Sequence, residues 1–221
     1  MKKLLLLVVV VFATGCHIVP ISSYSHQSSH GFSFYGEMTE AQVKIADEFI
    51  GVLPKLVIGS IHFINIVSNA EHYQSNRMWA GHCYPNGVIC IKLRYITDSE
   101  TLWHEIAHAY TFELMGYNSI NLEKEWKAAA GKVYFGDDES PWEYPKNGLM
   151  TGYGRTDWME DIAEYTCEFY LAITGHPSAF TRLTKEMRLE DKRYEEKLKL
   201  LLKYNFFTQS DYQKLCLKFP N

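Results

Sequence analysis

No block of like charge exceeds a few residues in this 221-residue chain, and its acids and bases are interspersed to a net charge of −4. The basic face that tracks a phosphate backbone is missing, so nucleic acid is excluded as an expected partner. No internal repeat appears. Long apolar runs are missing too: the N-terminal one, Leu4 to Ala13, holds ten residues, about half the ~20 that a membrane-crossing helix needs. Cysteine is scarce. Beyond Cys16 there are four, Cys83, Cys90, Cys167 and Cys216, an even number that permits disulfides in an exported chain without requiring any. What is plentiful is apolar material, 47% hydrophobic and 14% aromatic, enough for one well-packed domain.

The opening "MKKLLLLVVVVFATGC" has a basic start, a short apolar core and small residues before Cys16. Residues 1–15 read as a signal peptide. A cysteine just past the cleavage point resembles the lipobox of bacterial lipoproteins, although Ala13 stands where leucine is commoner. An ordinary signal peptide with an incidental cysteine is the plainer alternative. On the first reading Cys16 is lipidated and residues 16–35, Ser-rich and aperiodic, form a flexible tether to the domain at 36–221. The protein is then exported and either lipid-anchored in the cell envelope or secreted, touching the membrane through its N-terminal lipid only. His17, His26 and His30 lie in the tether and read as solvated linker rather than as metal ligands.

Within the domain, "TEAQVKIADEFIGVL" (39–53) has apolar residues at helical spacing, Thr39 as N-cap and Pro54 beyond its end. "SIHFINIVS" (60–68) alternates and is β-branched, hence a strand. Residues 77–95 read as a hairpin around Pro85-Asn86-Gly87. Two registers are open. A type I turn with a bulge pairs Tyr84 with Val88 and sets Cys83 opposite Ile89, whereas a two-residue Asn-Gly turn sets Cys83 opposite Cys90; a disulfide is undecided. Residues 97–116 form a helix with Thr97 and Glu100 as a capping box and Gly116 as its stop. A short helix at 122–130 precedes an irregular stretch, 131–155. A second strong helix spans 157–175, opened by Asp157, and 178–205 carry a third long helical pattern. Strands come early and helices late, so the class is α+β.

"LWHEIAHAY" (102–110) holds the chemistry. His104 and His108 stand at i, i+4 and share one helix face, which a chain does not fill with polar groups in an apolar stretch without recompense. His-Glu-x-x-His on a helix lets both imidazoles reach one Zn²⁺ while the glutamate addresses the water at the open position. Chance also supplies such matches; the context sharpens this one. On the helix at 157–175, Glu160 and Glu164 again share a face, and their stripe continues through the apolar Cys167 and Leu171. One of them can bind the metal while the other hydrogen-bonds a ligand histidine and fixes its tautomer. Asp161, about 100° round the helix, is expected at the surface.

"GYGRTDWMEDIAEY" (152–165) is similar to the Tyr-Gly-Arg-Thr…Glu-x-x-Ala-Glu segment of the anthrax lethal factor protease domain, and the same arrangement of His-Glu-x-x-His, Tyr and Glu occurs in the secreted clostridial Pro-Pro endopeptidases. The resemblance runs from the helix at 97–116 through that at 157–175. It implies a zincin-like metalloprotease: a small N-terminal sheet with a zinc helix, then a helical C-terminal lobe. It further implies one zinc held by His104, His108 and Glu160, Glu105 as general base, Tyr153 as donor to the oxyanion, and Glu164 behind a ligand histidine. Asp161-Ile162 stand where lethal factor has paired aromatics, and no toxin-delivery domains are present, which argues against a host-kinase substrate. Met150 precedes the Tyr segment, but no third histidine follows the zinc helix, against the Met-turn proteases. The expectation is a monomeric zinc endopeptidase acting on extracellular or envelope proteins, with proline-containing sites as its sharper form. A peptide substrate would add as a strand along the hairpin edge, where Trp79 and Tyr84 could meet it. The competing reading is a non-catalytic zinc-binding lipoprotein with a degenerate peptidase fold.

Overall fold

The computed structural model describes residues 24–68, 80–116, 120–134 and 144–218. Residues 1–15, read above as a signal peptide, and Cys16, His17 and Trp79 lie outside these residues. Strands β1 (Ser25–Gln27) and β2 (Ser33–Tyr35) come first, followed by helices α1 (Glu40–Ile50) and α2 (Lys55–Gly59). Strands β3 (Phe63–Val67), β4 (Gly81–Cys83) and β5 (Val88–Lys92) complete one five-stranded sheet in the order β1-β2-β3-β5-β4. Pairing is parallel at β2/β3 and β3/β5 and antiparallel at the two edges. Helices α3 (Ser99–Gly116), α4 (Ile120–Ala130), α5 (Trp158–Thr174), α6 (Lys185–Glu190), α7 (Arg193–Lys203) and α8 (Gln209–Lys218) follow. The class is mixed α+β, as expected.

One face of the sheet, carrying Phe34, Ile64, Ile66, Ile89 and Ile91, joins the same core cluster as Leu102, Trp103 and Ile106 of α3. β5 is buried at all five positions, which is why it reads as a continuous rather than an alternating apolar run. α3 lies between this sheet face and α5, the helix it packs against most extensively, and buried side chains emerge on most of its sides. A helix covered on most sides needs no single apolar stripe. Trp103 ties α3 to α1 through Nε1 to the Phe49 carbonyl at 2.8 Å, and Tyr110 ties it to the C-terminal half through its hydroxyl to the Tyr204 carbonyl at 2.9 Å.

Four expectations change. Residues 25–35, assigned to the tether, instead supply β1 and β2. Phe32 and Phe34 are buried in the core, and burial of that size, about 1.5–3 kcal/mol per side chain, outweighs the flexible character of the surrounding serines. The capping residue of α3 is Asp98, not Thr97, because the Asp98 carboxylate accepts from the Glu100 and Thr101 amides at 3.3 and 3.4 Å. The stretch 178–205 is not one helix. Thr184 caps α6 by accepting from the Met187 amide, while Asp191 accepts from the Arg193 amide at 3.1 Å and pairs with the Arg193 guanidinium. A side chain that binds the backbone two residues on competes with the helix and breaks it. Asp161 is fully buried rather than exposed, paired with Lys197 at 2.6 Å.

The hairpin, open between two registers in the sequence, adopts the bulged one. Tyr84 donates its amide to the Val88 carbonyl, Gly87 sits at φ 74°, and Cys83 faces Ile89. Cys83 and Cys90 therefore point to opposite faces, and among the described residues neither they nor Cys167 and Cys216 form a disulfide.

Candidate metal centre

Two aspartates set the frame. Asp98 starts α3 so that His104, Glu105 and His108 fall in its second and third turns. Asp157 caps α5 by accepting from the amides of Met159 and of Glu160 itself, at 2.7 and 3.2 Å, which anchors the backbone of Glu160 directly. Where the helices meet, three ligand atoms converge. His104 Nε2 lies 3.0 Å and His108 Nε2 3.1 Å from Glu160 Oε2, and the two Nε2 atoms are 3.1 Å apart. Tetrahedral coordination with bonds near 2.0–2.1 Å sets ligand atoms about 3.3 Å from one another. The triangle is close to that size, so His104, His108 and Glu160 could hold a metal ion; among the described residues they form the one such group. Their side chains keep 10–19% of their surface, enough for an ion and a reactant to reach them.

Glu164, one turn beyond Glu160, approaches the other ring nitrogen of His104: Nδ1 lies 2.7 Å from Oε1. With Nδ1 held by Glu164 it is Nε2 that faces the triangle, and it would lend its lone pair once a metal displaces the proton it shares with Glu160. The second oxygen of Glu164 accepts from the Thr151 hydroxyl at 2.6 Å, and that same hydroxyl accepts from the Gly154 amide at 3.3 Å. Burial disfavours charge on both His104 and Glu160, but their mutual hydrogen bonds prevail. The His104 pKa is held well above the usual imidazole value, and Glu160, bonded to both histidines, is held well below the carboxylate range. The pair keeps the carboxylate ionised as a ligand must be.

Glu105 is buried and is not one of the three converging side chains. Burial raises its pKa; His104 and His108 pull it down, and Glu160 and Glu164 push it up further. A carboxyl with raised proton affinity at a water-accessible metal triangle is suited to accept and return a proton. It rests against Gly81 of β4, where a Cβ would stand 2.6 Å from Glu105 Cγ and 2.8 Å from its Oε1. Only a residue without a side chain allows edge strand and glutamate this close.

Tyr153 begins a 3₁₀ turn, Tyr153–Arg155, between the irregular stretch and α5. It is 55% exposed, and its ring lies 5.8 Å from that of His104. Partial burial raises its pKa, and Glu160, Glu105 and Glu164 raise it further, so it stays a proton donor.

All six site residues expected on α3, α5 and the Tyr turn are thus gathered. Tyr84 stands on the hairpin, its ring 4.7 Å from that of His82, and Met150 is fully buried beneath the turn. Sequence reasoning missed Gly81, Thr151 and the Asp161–Lys197 pair. Thr151 had a signal, lying two residues ahead of Tyr153; Gly81 had none. A cleft of about 910 Å³ between β1 and α1 shares no residue with the site. No protein-family model, curated protein or solved structure matches this chain.

Proposed function

We propose that the protein is an exported zinc-dependent endopeptidase with a zincin-like fold, related in plan to the lethal-factor protease domain and the Pro-Pro endopeptidases, acting on extracellular or envelope proteins. The observation that carries this reading is the meeting of His104 and His108 of α3 with Glu160 of α5, with Glu105 and Tyr153 on the rim of the same triangle. A pure metal binder has no need of the last two. Export rests on the N-terminal pattern alone.

Zinc held by the three side chains would supply Lewis acidity, polarising a peptide carbonyl and acidifying a water. Glu105 takes the proton from the attacking water, helped by the burial that raises its own proton affinity, and delivers it to the departing amine. Tyr153, protonated, donates to the oxygen on which charge develops, a contribution of about 3 kcal/mol for one well-placed donor. Glu164 keeps His104 in the tautomer that presents Nε2. β4 is an edge of the sheet and touches Glu105 through Gly81, so an extended peptide added along it would bring its backbone to the proton acceptor.

The test is to profile the purified protein against a peptide library, with and without chelator and with zinc restored. Cleavage that chelation abolishes and zinc returns is the expected result, and the cleaved sites give the specificity, proline-containing sites among them. A folded, metal-loaded protein that cleaves nothing would overturn the peptidase in favour of a metal-binding lipoprotein.

A further inference from the structure

Lys197 of α7 reaches across the helical half to one point. Its Nζ donates to Asp161 Oδ2 and to the Gly148 carbonyl, each at 2.6 Å, with no exposure of either charged side chain. Trp126 Nε1 and the Tyr134 hydroxyl donate to the same Asp161 oxygen at 2.9 and 2.6 Å, and the Tyr165 hydroxyl donates to Gly148 at 2.7 Å. A buried ion pair is weak grounds for stability, because apolar residues of like volume serve as well. What this one joins is more telling than its strength.

Gly148 and Gly154 bracket the segment that carries Thr151 and Tyr153. Gly148 is held by its carbonyl and, at φ 73°, lies so close to α7 that a Cβ would meet Arg193 Cβ at 2.7 Å. Gly154 beds on Asp161: a Cβ there would stand 3.2 Å from Asp161 Cα and 3.3 Å from Oδ1. Among the described residues that Oδ1 has no hydrogen-bond partner, the donors Lys197, Trp126 and Tyr134 having gone to Oδ2. Both ends of the Tyr153 segment thus meet one carboxylate–ammonium pair, and that carboxylate belongs to the residue next to Glu160.

We propose that Asp161 and Lys197 are positioning residues, a strut that sets Tyr153 relative to His104 and Glu160 by fixing the segment at Gly148 and Gly154. The inference rests on the peptidase reading for its catalytic consequence, though not for its structural one.

Lys197→Met alone would leave a buried carboxylate unpaired and threaten folding. The variant to make is Asp161→Asn with Lys197→Met, which removes both charges and keeps an acceptor for Trp126 and Tyr134. Gly154→Ala approaches from the other side, lifting the turn by a few tenths of an ångström with the pair intact. Hydrogen exchange read by mass spectrometry should show peptides covering 148–156 opening about 10-fold faster in the double variant while those covering 104–108 are unchanged. Metal content should stay at one ion per chain. In both variants kcat should fall about 10- to 100-fold with KM nearly constant, and combined with Tyr153→Phe neither should fall below the level of Tyr153→Phe alone, since residues acting through one group are not additive. Unchanged exchange over 148–156, or losses that multiply with Tyr153→Phe, would overturn the strut. A wild type that cleaves nothing overturns the peptidase reading, and exchange then decides on the strut alone.

Discussion

Nδ1 of His104 lies 2.7 Å from Oε1 of Glu164, while the opposite nitrogen of the ring faces Glu160. The two glutamates are one turn apart and chemically identical, yet this places one in the triangle and the other behind it. Glu160→Gln removes a ligand charge and should abolish stoichiometric metal binding. Glu164→Gln removes only the group that orients His104 and should weaken affinity about 10- to 100-fold. Competition titration with a chromophoric chelator measures both, and the reverse order of severity would mean that the two roles are exchanged.

Metal should also hold α3 to α5. An ion that binds the folded state and not the unfolded one, at a free concentration of 100 times its Kd, stabilises by about 2.7 kcal/mol. For a chain of this size that corresponds to about 5–11 °C in Tm. A thermal melt of chelator-stripped protein should fall by that amount and recover with added zinc, whereas the Glu160→Gln variant should melt at one temperature under both conditions.

Gly81→Ala isolates the contact between β4 and Glu105. The added methyl would stand within 3 Å of the glutamate side chain and its Oε1, and a side chain moves more cheaply than the strand. Stability should change by less than about 1 kcal/mol, metal content should be unaltered, and turnover should drop about 10-fold or more as the proton acceptor is displaced. Circular-dichroism melts and peptide cleavage on the same samples test the split; a large loss of Tm with intact turnover would count against it.

The first strands should matter to folding. Phe34 is fully buried and β2 pairs with β3, so Phe34→Ala should cost about 3–5 kcal/mol. A fragment that begins at residue 36 loses β1 and β2 along with Phe32 and should melt lower still. Denaturant unfolding of the two against the full chain measures this, and an unchanged midpoint for the fragment would return 25–35 to the tether.

How far the chain could be read in advance follows from where the information is local. The caps of α1 and α5 are local, and Thr39 and Asp157 do cap them; the i, i+4 pairs His104/His108 and Glu160/Glu164 are local too. The hairpin register was narrowed to two by turn chemistry, and Gly87 at φ 74° with Cys83 opposite Ile89 selects one. Asp161 was misplaced because a charge on a helix ordinarily faces water, and nothing nearby announces that Lys197, 36 residues on, will meet it in the interior. Gly81 was invisible for the same reason, since its neighbour Glu105 comes from another element. The short strands β1 and β2 carry only three residues each, too few for alternation to rise above their serines.

Glu105 and Tyr153 should be dispensable for folding and for metal but not for turnover. Glu105 is not one of the three converging side chains, and glutamine in its place keeps the volume that packs on Gly81 while removing the proton acceptor. Glu105→Gln should therefore retain zinc and its Tm and lose activity by orders of magnitude. Tyr153 is half-exposed and beside the His104 ring, so Tyr153→Phe should cost little stability. With one donor to the oxyanion gone, kcat should fall about 10²- to 10³-fold while KM holds nearly constant, because the lost bond forms only as charge develops. Measuring cleavage, zinc content and melting on the same preparations separates these outcomes from misfolding. Near-normal turnover in Tyr153→Phe would remove the tyrosine from the chemistry, and with it the strongest link between the segment at 152–165 and the lethal-factor plan.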